Sequence, residues 1–108
     1  MIRQISPIDV KAKLDAGESI MLIDCRQPEE YGHCRIEGST LIPLGEVQRR
    51  AGEVEVPDGA LVVVYCHHGV RSLTGAMMLK MAGVENVASM AGGIEAWSVQ
   101  VDPTVPRY

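Results

Sequence analysis

The apolar run Ala60–Tyr65, which reads ALVVVY and leads directly into Cys66, constrains the fold more than any other segment of the chain. Its β-branched and aromatic residues favour a β-strand. Because no polar residue interrupts the run, the pattern predicts a strand that is covered on both faces, as in the interior of a parallel sheet. A sheet of this kind needs helices on both faces, and the rest of the chain has to supply them.

The remaining segments alternate between strand and helix patterns. Ser19–Asp24 is a second continuous apolar run, and shorter strands are predicted at 40–42 and 87–90. Ser6 can cap a first helix, which Gly17 ends. Further helices or helical turns are predicted at 28–31, 45–52, about 72–82 and 94–97. This alternation indicates an α/β fold in which helices flank both faces of a central, mostly parallel sheet.

Four apolar residues recur on one side of the helix predicted at about 72–82, and they are expected to face the core. They are Leu73, Ala76, Met77 and Met81. Four methionines are interpreted as flexible side chains that fill gaps in the core, namely Met77, Met78, Met81 and Met90.

The length of 108 residues fits one domain, and we predict a single domain over 1–108, with a core at about 5–100 and an irregular C-terminal tail at 101–108. Hydrophobic residues make up 46% of the chain and charged residues 22%, as in ordinary globular proteins. The net charge of −4 argues against a nucleic-acid partner, because such proteins normally carry a basic surplus.

No apolar run reaches the roughly 20 residues that a membrane-spanning helix needs, and the first residues lack the apolar core of a signal peptide. Three cysteines, Cys25, Cys34 and Cys66, cannot all pair within the chain and form no CxxC motif. We therefore expect free thiols, a cytoplasmic location and no membrane association. His33 and Cys34 make a poor metal site, since adjacent residues rarely point at one ion. Neither a metal nor another cofactor is predicted.

Cys66 stands where ligands bind in open α/β sheets, just beyond the carboxyl end of a strand. The chain must curl tightly before the next helix begins, and Gly69 permits such a curl. Amide groups in a curl of this kind point inward, and the helix N-terminus adds partial positive charge, so the loop stabilises an anion. The same field lowers the pKa of a thiol, so Cys66 is a candidate nucleophile, and the alternative is an inert buried thiol at the end of a strand.

The polar residues around Cys66 admit two interpretations. His67 and His68 either contact the substrate or are ordinary loop residues whose backbone lines the loop. Arg71 either attracts an anionic substrate or braces the loop through a carboxylate such as that of Glu30. Ser72 is interpreted as a possible cap of the following helix.

The pattern Cys-x-x-Gly-x-Arg-Ser at 66–72, after a Val-rich strand, resembles the active-site loop of rhodanese-like domains. Three further segments resemble that family in the same order and without a large insertion, so the resemblance covers about 5–100. They are 22–26 with 29–31, 36–43, and 90–97. Two departures stand out, because Cys34-Arg35 occupies positions where the family often has Gly-His, and Cys25 one where it often has Val.

The resemblance implies a rhodanese-like fold and a sulfurtransferase that works by a ping-pong reaction. Cys66 would take the outer sulfur of a donor such as thiosulfate, carry it as a persulfide, and pass it to cyanide or to a thiol acceptor, either a small thiol or a thioredoxin-like protein. The loop residues that would hold the persulfide are His67, His68, Gly69, Val70 and Arg71. Structural support is assigned to Asp24, Arg26, Glu30 and Ser72.

Other roles are compatible with parts of this sequence. A phosphatase or arsenate reductase on this fold uses five residues between Cys and Arg, whereas this chain has four between Cys66 and Arg71, which suits a single sulfur atom better. A non-catalytic module or persulfide relay, serving a thiolation or cofactor pathway, uses the same Cys66 and stays open. Cys25 is expected to be a small packed residue, although a resolving-thiol role stays open because its strand can neighbour that of Cys66.

Overall fold

Five strands form the single sheet of the protein, and the computed structural model describes every residue from Met1 to Tyr108. They are β1 (Arg3–Ile5), β2 (Ile20–Asp24), β3 (Thr40–Leu41), β4 (Leu61–Tyr65) and β5 (Val87–Met90). Their spatial order is β1-β5-β4-β2-β3. Every neighbouring pair is parallel, which confirms the predicted α/β class. The sheet that was expected to be mostly parallel is parallel throughout.

Helices cover both faces of this sheet, as predicted. They are α1 (Pro7–Asp15), α2 (Pro28–His33), α3 (Leu44–Arg50), α4 (Arg71–Met81) and α5 (Gly93–Gln100), with a 3-10 turn at Ala51–Glu53. On one face, α1 and α5 contribute Val10 and Trp97 to a buried cluster. On the other face, α3 and α4 contribute Val47 and Leu79 to a second cluster. None of the helices combines the length and apolarity that crossing a membrane would require.

β4 lies at the centre of the sheet, between β2 and β5. All five of its residues are buried, which confirms the strand predicted from the apolar run. Val62 and Val64 pack into the cluster under α3 and α4, whereas Val63 and Tyr65 pack into the cluster under α1 and α5. Because both faces are covered, every position of the strand is apolar. The strand delivers Cys66 to the carboxyl edge of the sheet.

The first strand was not predicted. β1 has three residues, RQI, and pairs in parallel with β5 at the edge of the sheet. Only Ile5 of the three is buried. A segment this short, with one apolar side chain inside, carries neither the alternation nor the continuous apolar run by which strands are recognised.

The apolar stripe predicted for α4 is wrong in part. Met77 and Met81 are 36% and 81% exposed, and the buried side of the helix carries Ser72, Gly75, Ala76 and Leu79. α4 packs closely on the sheet, since a Cβ placed on Gly75 would lie 3.5 Å from Val64 Cγ1. Small residues therefore mark the buried side of this helix better than large apolar ones do.

Candidate active site

Cys66 Sγ lies on the floor of the loop that joins β4 to α4, where the side chain is buried. The Gly69 and Ser72 amides donate hydrogen bonds to this sulfur at 3.1 and 3.3 Å, and the Ser72 hydroxyl oxygen lies 3.5 Å from it. Two amides and a hydroxyl therefore converge on one sulfur atom. Such an arrangement stabilises a sulfur anion.

Ser72 does not cap α4, which corrects the sequence interpretation. Val70 occupies the N-cap position and makes no side-chain capping hydrogen bond. The Ser72 hydroxyl instead turns toward the sulfur and shares a 2.7 Å hydrogen bond with the hydroxyl of Ser89 at the end of β5. Its position two residues into the helix places both its amide and its hydroxyl beside Cys66.

Hydrogen bonding makes Cys66 an acidic thiol. A hydrogen bond from the Cys25 thiol makes the largest contribution to the lowered pKa of Cys66, and it outweighs burial, which opposes ionisation. The Ser72 hydroxyl and the Ser72 and Gly69 amides lower the pKa further, to about 4. Cys66 is therefore a thiolate at neutral pH. The sequence pointed to the amides and the helix end, but the contribution of Cys25 was missed, because it depends on the pairing of β2 with β4.

α5 holds the loop from the other side. The Ile94 amide donates to the Cys66 carbonyl at 2.8 Å, and the Glu95 amide donates to the His67 carbonyl at 3.1 Å. This approach requires glycine at Gly93, since a Cβ there would overlap the Cys66 and His67 carbonyl oxygens. Gly92 and Gly93 thus bring a helix N-terminus against the backbone of the loop.

Arg71 and Glu30 join the loop to α2. Arg71 Nη1 and Nη2 donate to the two Glu30 carboxylate oxygens at 2.7 and 3.0 Å. This two-point ion pair has the geometry of a brace between the loop and α2. The guanidinium keeps about a third of its side-chain surface exposed, so it also presents charge to solvent.

Asp24 and Arg26 form a second, fully buried ion pair behind the loop. Arg26 Nη2 lies 2.6 Å from Asp24 Oδ2, and neither side chain has exposed surface. Arg26 also donates to the Cys34 carbonyl at 2.6 Å and to the Tyr108 hydroxyl at 2.9 Å. These hydrogen bonds satisfy the buried guanidinium and tie three chain segments together.

The two loop histidines differ. His68 is exposed, whereas the His67 ring stacks against the Tyr108 ring at 3.8 Å between centroids with 6° between the planes. Burial, followed by the neighbouring His68 charge, lowers the pKa of His67. His67 Nε2 is buried and has no hydrogen-bond partner.

Tyr108 belongs to the site, and sequence reasoning missed it. Its hydroxyl donates to Glu30 Oε2 at 2.6 Å and accepts from Arg26 at 2.9 Å, while its ring covers His67. The segment 101–108 is irregular, as predicted, but its last residue returns to the loop. No local signal marks this contact, because the partners lie about 80 residues away in the sequence.

The other two cysteines lie on opposite faces of the sheet. Cys25 packs in the cluster that contains Cys66, whereas Cys34 packs in the cluster under α1 and α5. All three cysteines are free thiols. No three His, Cys, Asp or Glu side chains come together in a metal-binding arrangement; the exposed His33 ring instead meets the edge of the Tyr108 ring.

Several known proteins are similar to this chain. It is 35% identical over 104 residues to the probable adenylyltransferase/sulfurtransferase MoeZ of Mycobacterium tuberculosis, covering 96% of this chain and 26% of MoeZ. It is 37% identical over 97 residues to the putative sulfur carrier protein YrkF of Bacillus subtilis, covering 90% of this chain and 51% of YrkF. The chain thus spans between a quarter and a half of these two relatives.

A relative of similar length is a sulfurtransferase from Allochromatium vinosum, with 30% identity over 98 residues that cover 91% of this chain and 90% of that protein. Among solved structures, a rhodanese-related protein from Thermoplasma volcanium superposes with a TM-score of 0.82 at 26% identity, covering 98% of this chain and 99% of that one. The model of the rhodanese-like domain family matches residues 6–100. The loop, the sheet and these matches agree, and the chain belongs to the rhodanese-like domain family.

Proposed function

We propose that this rhodanese-like domain is a sulfurtransferase that carries sulfane sulfur as a persulfide on Cys66. With thiosulfate as donor, the Cys66 thiolate attacks the outer sulfur, the S–S bond of thiosulfate breaks, and sulfite leaves with the bonding electron pair. An acceptor thiolate or cyanide then attacks the terminal sulfur of the persulfide, and Cys66 leaves as a thiolate. The enzyme alternates between these two states.

The observation that carries the proposal is the convergence of the Gly69 and Ser72 amides on an acidic Cys66 Sγ. The remaining amides of the loop have no acceptor within the protein, so they are free to bind a negatively charged terminal sulfur. These are the amides of His67, His68, Val70 and Arg71. A persulfide adds one sulfur atom and keeps one negative charge, which this small loop can accommodate.

Relatives support sulfur chemistry in general rather than a particular donor. The proteins from Mycobacterium tuberculosis and Allochromatium vinosum are called sulfurtransferases, and the protein from Bacillus subtilis is called a sulfur carrier. We take thiosulfate as the first donor to test, because it is an anion whose outer sulfur is electrophilic. A small thiol or a thioredoxin-like protein is the corresponding acceptor.

The proposal is tested by intact-protein mass spectrometry before and after thiosulfate. We expect the mass of one sulfur atom to be added to the wild type and removed by cyanide. Cys66→Ser should gain nothing, whereas Cys34→Ser, which removes another buried thiol, should behave as the wild type does. Uptake by Cys66→Ser, or a wild type that neither gains sulfur nor releases sulfide after thiosulfate, overturns the proposal. The same samples should not hydrolyse p-nitrophenyl phosphate, since the loop is one residue shorter than a phosphatase loop.

The second candidate is a persulfide relay, which the sulfur carrier name of the Bacillus subtilis relative favours. A relay receives sulfur from a desulfurase protein and passes it to a thiolation or cofactor pathway through the same Cys66. The sulfur donor that each function uses distinguishes the enzyme from the relay. An enzyme turns over with thiosulfate and cyanide many times per protein, whereas a relay is loaded by the protein donor and turns over poorly with thiosulfate.

A further inference from the structure

Cys25 and Cys66 follow two neighbouring parallel strands at the same edge of the sheet. β2 and β4 pair Asp24 with Tyr65, so the next residues on each strand are the two cysteines. The Cys25 amide still donates to the Tyr65 carbonyl at 3.0 Å, which continues the pairing up to this point. Neighbouring strands lie about 4.8 Å apart. That separation falls inside the range of roughly 4.4–6.8 Å between Cα atoms that a disulfide spans.

The two side chains also point to the same side of the sheet. Successive residues of a strand alternate between faces, and both cysteines pack in the cluster that contains Val64. Cys25 and Cys66 are 0% and 1% exposed, so both thiols lie out of water in the same cluster. α4 lies directly over them at Gly75, where a Cβ would sit 3.7 Å from Cys25 Cβ.

The proton distribution between them is unequal. Hydrogen bonding to Cys66, followed by burial, raises the pKa of Cys25 far above that of an ordinary thiol. Cys66 is therefore the anion that attacks a sulfur donor, and Cys25 is the neighbouring thiol that holds a proton. Once Cys66 carries a persulfide, the negative charge moves to the terminal sulfur in the loop, and the hydrogen bond to an anionic Cys66 Sγ, which is the main cause of the raised pKa of Cys25, is weakened.

Resting on the sulfur transfer proposed above, we propose that Cys25 is a resolving thiol that discharges the Cys66 persulfide as sulfide. Cys25 Sγ attacks Cys66 Sγ, the bond from Cys66 Sγ to the terminal sulfur breaks, and the Cys25 proton leaves with that sulfur as HS⁻. The two cysteine sulfurs become a disulfide, and the sulfane sulfur is reduced to sulfide. A dithiol then reduces the disulfide and returns both thiols.

The attack falls on the inner sulfur because of where the three sulfurs lie. Cys25 reaches Cys66 Sγ from the neighbouring strand, inside the buried cluster, whereas the terminal sulfur extends toward the free amides of the loop. Disulfide formation from a persulfide needs no further oxidant, since the sulfur donor has already supplied the oxidising equivalents. The domain would then release sulfide without an external thiol attacking the persulfide.

Trypsin offers a direct readout, because it places the three cysteines on separate peptides. Cys25 lies on residues 14–26, Cys34 on 27–35 and Cys66 on 51–71. The reduced protein is treated with thiosulfate and freed of it, and free thiols are then blocked with N-ethylmaleimide at successive times. Released sulfide is measured in parallel. We expect the persulfide to decay in the wild type, with about one sulfide released per protein and a disulfide joining peptides 14–26 and 51–71.

Cys25→Ser should still take up one sulfur atom, but more slowly, because the hydrogen bond that contributes most to the low pKa of Cys66 is changed. Once loaded, it should hold that sulfur, releasing sulfide about tenfold more slowly than the loaded wild type, and dithiothreitol should then be needed to discharge it. Cys34→Ser is the matched control, since it removes a buried thiol from the opposite face, and it should behave as the wild type does. A Cys25→Ser persulfide that decays as fast as that of the wild type overturns the resolving role. So does a persulfide that appears on peptide 14–26, which would show attack on the terminal sulfur.

The two proposals fail in different ways. If neither the wild type nor Cys25→Ser gains sulfur, the sulfur transfer proposal fails. If both gain sulfur and keep it equally, only the resolving role fails. Should Cys25→Ser lose stability, Cys25→Ala tests the resolving role in its place, and the decay is compared only after each variant has been loaded to the same extent. Both variants are checked for folding by circular dichroism before loading.

Discussion

The Arg71 guanidinium donates hydrogen bonds to both carboxylate oxygens of Glu30, at 2.7 and 3.0 Å, and so connects the first residue of α4 to α2 across the Cys66 loop. A two-point pair fixes orientation as well as distance. The hydrogen bond from Arg71, aided by the Tyr108 hydroxyl, lowers the pKa of Glu30 to about 2. The brace therefore persists at every pH at which the folded protein would be assayed.

Breaking this brace from either side should do similar damage. We expect Glu30→Gln and Arg71→Ala each to lower kcat/KM for thiocyanate formation from thiosulfate and cyanide about tenfold, and the double mutant to be no worse than the more damaged single mutant. Arg71→Lys keeps the charge but loses the planar fork, so it should resemble Arg71→Ala more than the wild type. Arg49→Ala, which breaks an exposed ion pair with Glu46, is the control and should be unchanged.

The salt dependence of kcat/KM distinguishes an Arg71 that braces the loop from one that attracts the anionic donor. Screening removes a long-range attraction, so an Arg71 that mainly recruits thiosulfate would make the wild type more sensitive to salt than Arg71→Ala. Because Glu30 holds the Arg71 guanidinium, we expect kcat/KM of the wild type and of Arg71→Ala to depend on salt to nearly the same degree. The wild type should be slightly more sensitive, since about a third of the Arg71 side chain is exposed. Losses that add fully in the double mutant would contradict the brace.

The acidity of Cys66 predicts an unusual pH profile. Its pKa lies near 4, below that of an ordinary thiol, mainly through the Cys25 hydrogen bond. The rate of Cys66 alkylation by iodoacetamide, followed on peptide 51–71, should therefore reach half of its plateau near pH 4 and stay flat through neutral pH. Because the folded pKa lies below the unfolded one, the thiolate contributes stability that is fully present above the unfolded pKa of about 8.5 and is lost as pH falls through the folded value.

Two variants check which contacts cause this acidity. Cys25→Ala removes the largest contribution and Ser72→Ala a smaller one, so both should move the midpoint of the alkylation profile upward, Cys25→Ala by more. Cys34→Ala should leave it in place. A wild-type rate that keeps rising up to pH 8 would show that the loop does not stabilise the thiolate.

The sequence predicted the elements that depend on local pattern and missed those that depend on distant contacts. β4 and the loop after it were predictable, because a continuous apolar run and a glycine-containing curl are local signals. The buried side of α4 was not, since close packing over Val64 selected Gly75 and Ala76 and left Met77 and Met81 outside. Apolar character then pointed to the wrong side of the helix.

The candidate active site also combines features that a local pattern predicts with features that depend on distant contacts. The loop residues could be identified from their order after the strand, but the two largest surprises are long-range. Cys25 acts on Cys66 through strand pairing, and Tyr108 reaches Arg26 and Glu30 from the far end of the sequence. The register of two strands and the path of an irregular tail are decided by tertiary packing, which no pattern of neighbouring residues records.

Tyr108 has two contributions that two variants can separate. Tyr108→Phe keeps the ring on His67 but loses the hydroxyl that bridges Arg26 and Glu30, whereas Tyr108→Ala removes both. Burial is the main reason that the pKa of His67 is lowered. In an NMR titration, Tyr108→Ala should therefore raise the pKa of His67 toward the ordinary value of about 6.5. Tyr108→Phe should leave it nearly unchanged.

The same two variants should differ in access to the sulfur. Uncovering His67 is expected to speed alkylation of Cys66 in Tyr108→Ala at neutral pH, where the thiolate fraction is already complete. Tyr108→Phe should not speed it. An unchanged pKa of His67 in Tyr108→Ala would mean that other groups keep this ring out of water.

Gly93 has to be glycine for two separate reasons, and the chain offers a control that carries only one of them. Its φ of +61° lies in the left-handed region, and a Cβ would overlap the Cys66 and His67 carbonyl oxygens. Gly59 has a φ of +76°, but a Cβ there would meet nothing within 4 Å. Alanine at either position bears the backbone strain, whereas only alanine at Gly93 crowds the loop.

Gly59→Ala should lower the free energy of unfolding in urea by about 1–2 kcal/mol, the ordinary cost of a left-handed alanine. Gly93→Ala should cost a further 1–3 kcal/mol or so, because α5 must move away from the loop backbone. That movement weakens the Ile94 hydrogen bond to the Cys66 carbonyl, so the alkylation midpoint of Cys66 should rise in Gly93→Ala and stay in place in Gly59→Ala. Equal stability losses in the two variants, with unchanged Cys66 acidity in both, would show that α5 does not hold the loop in position.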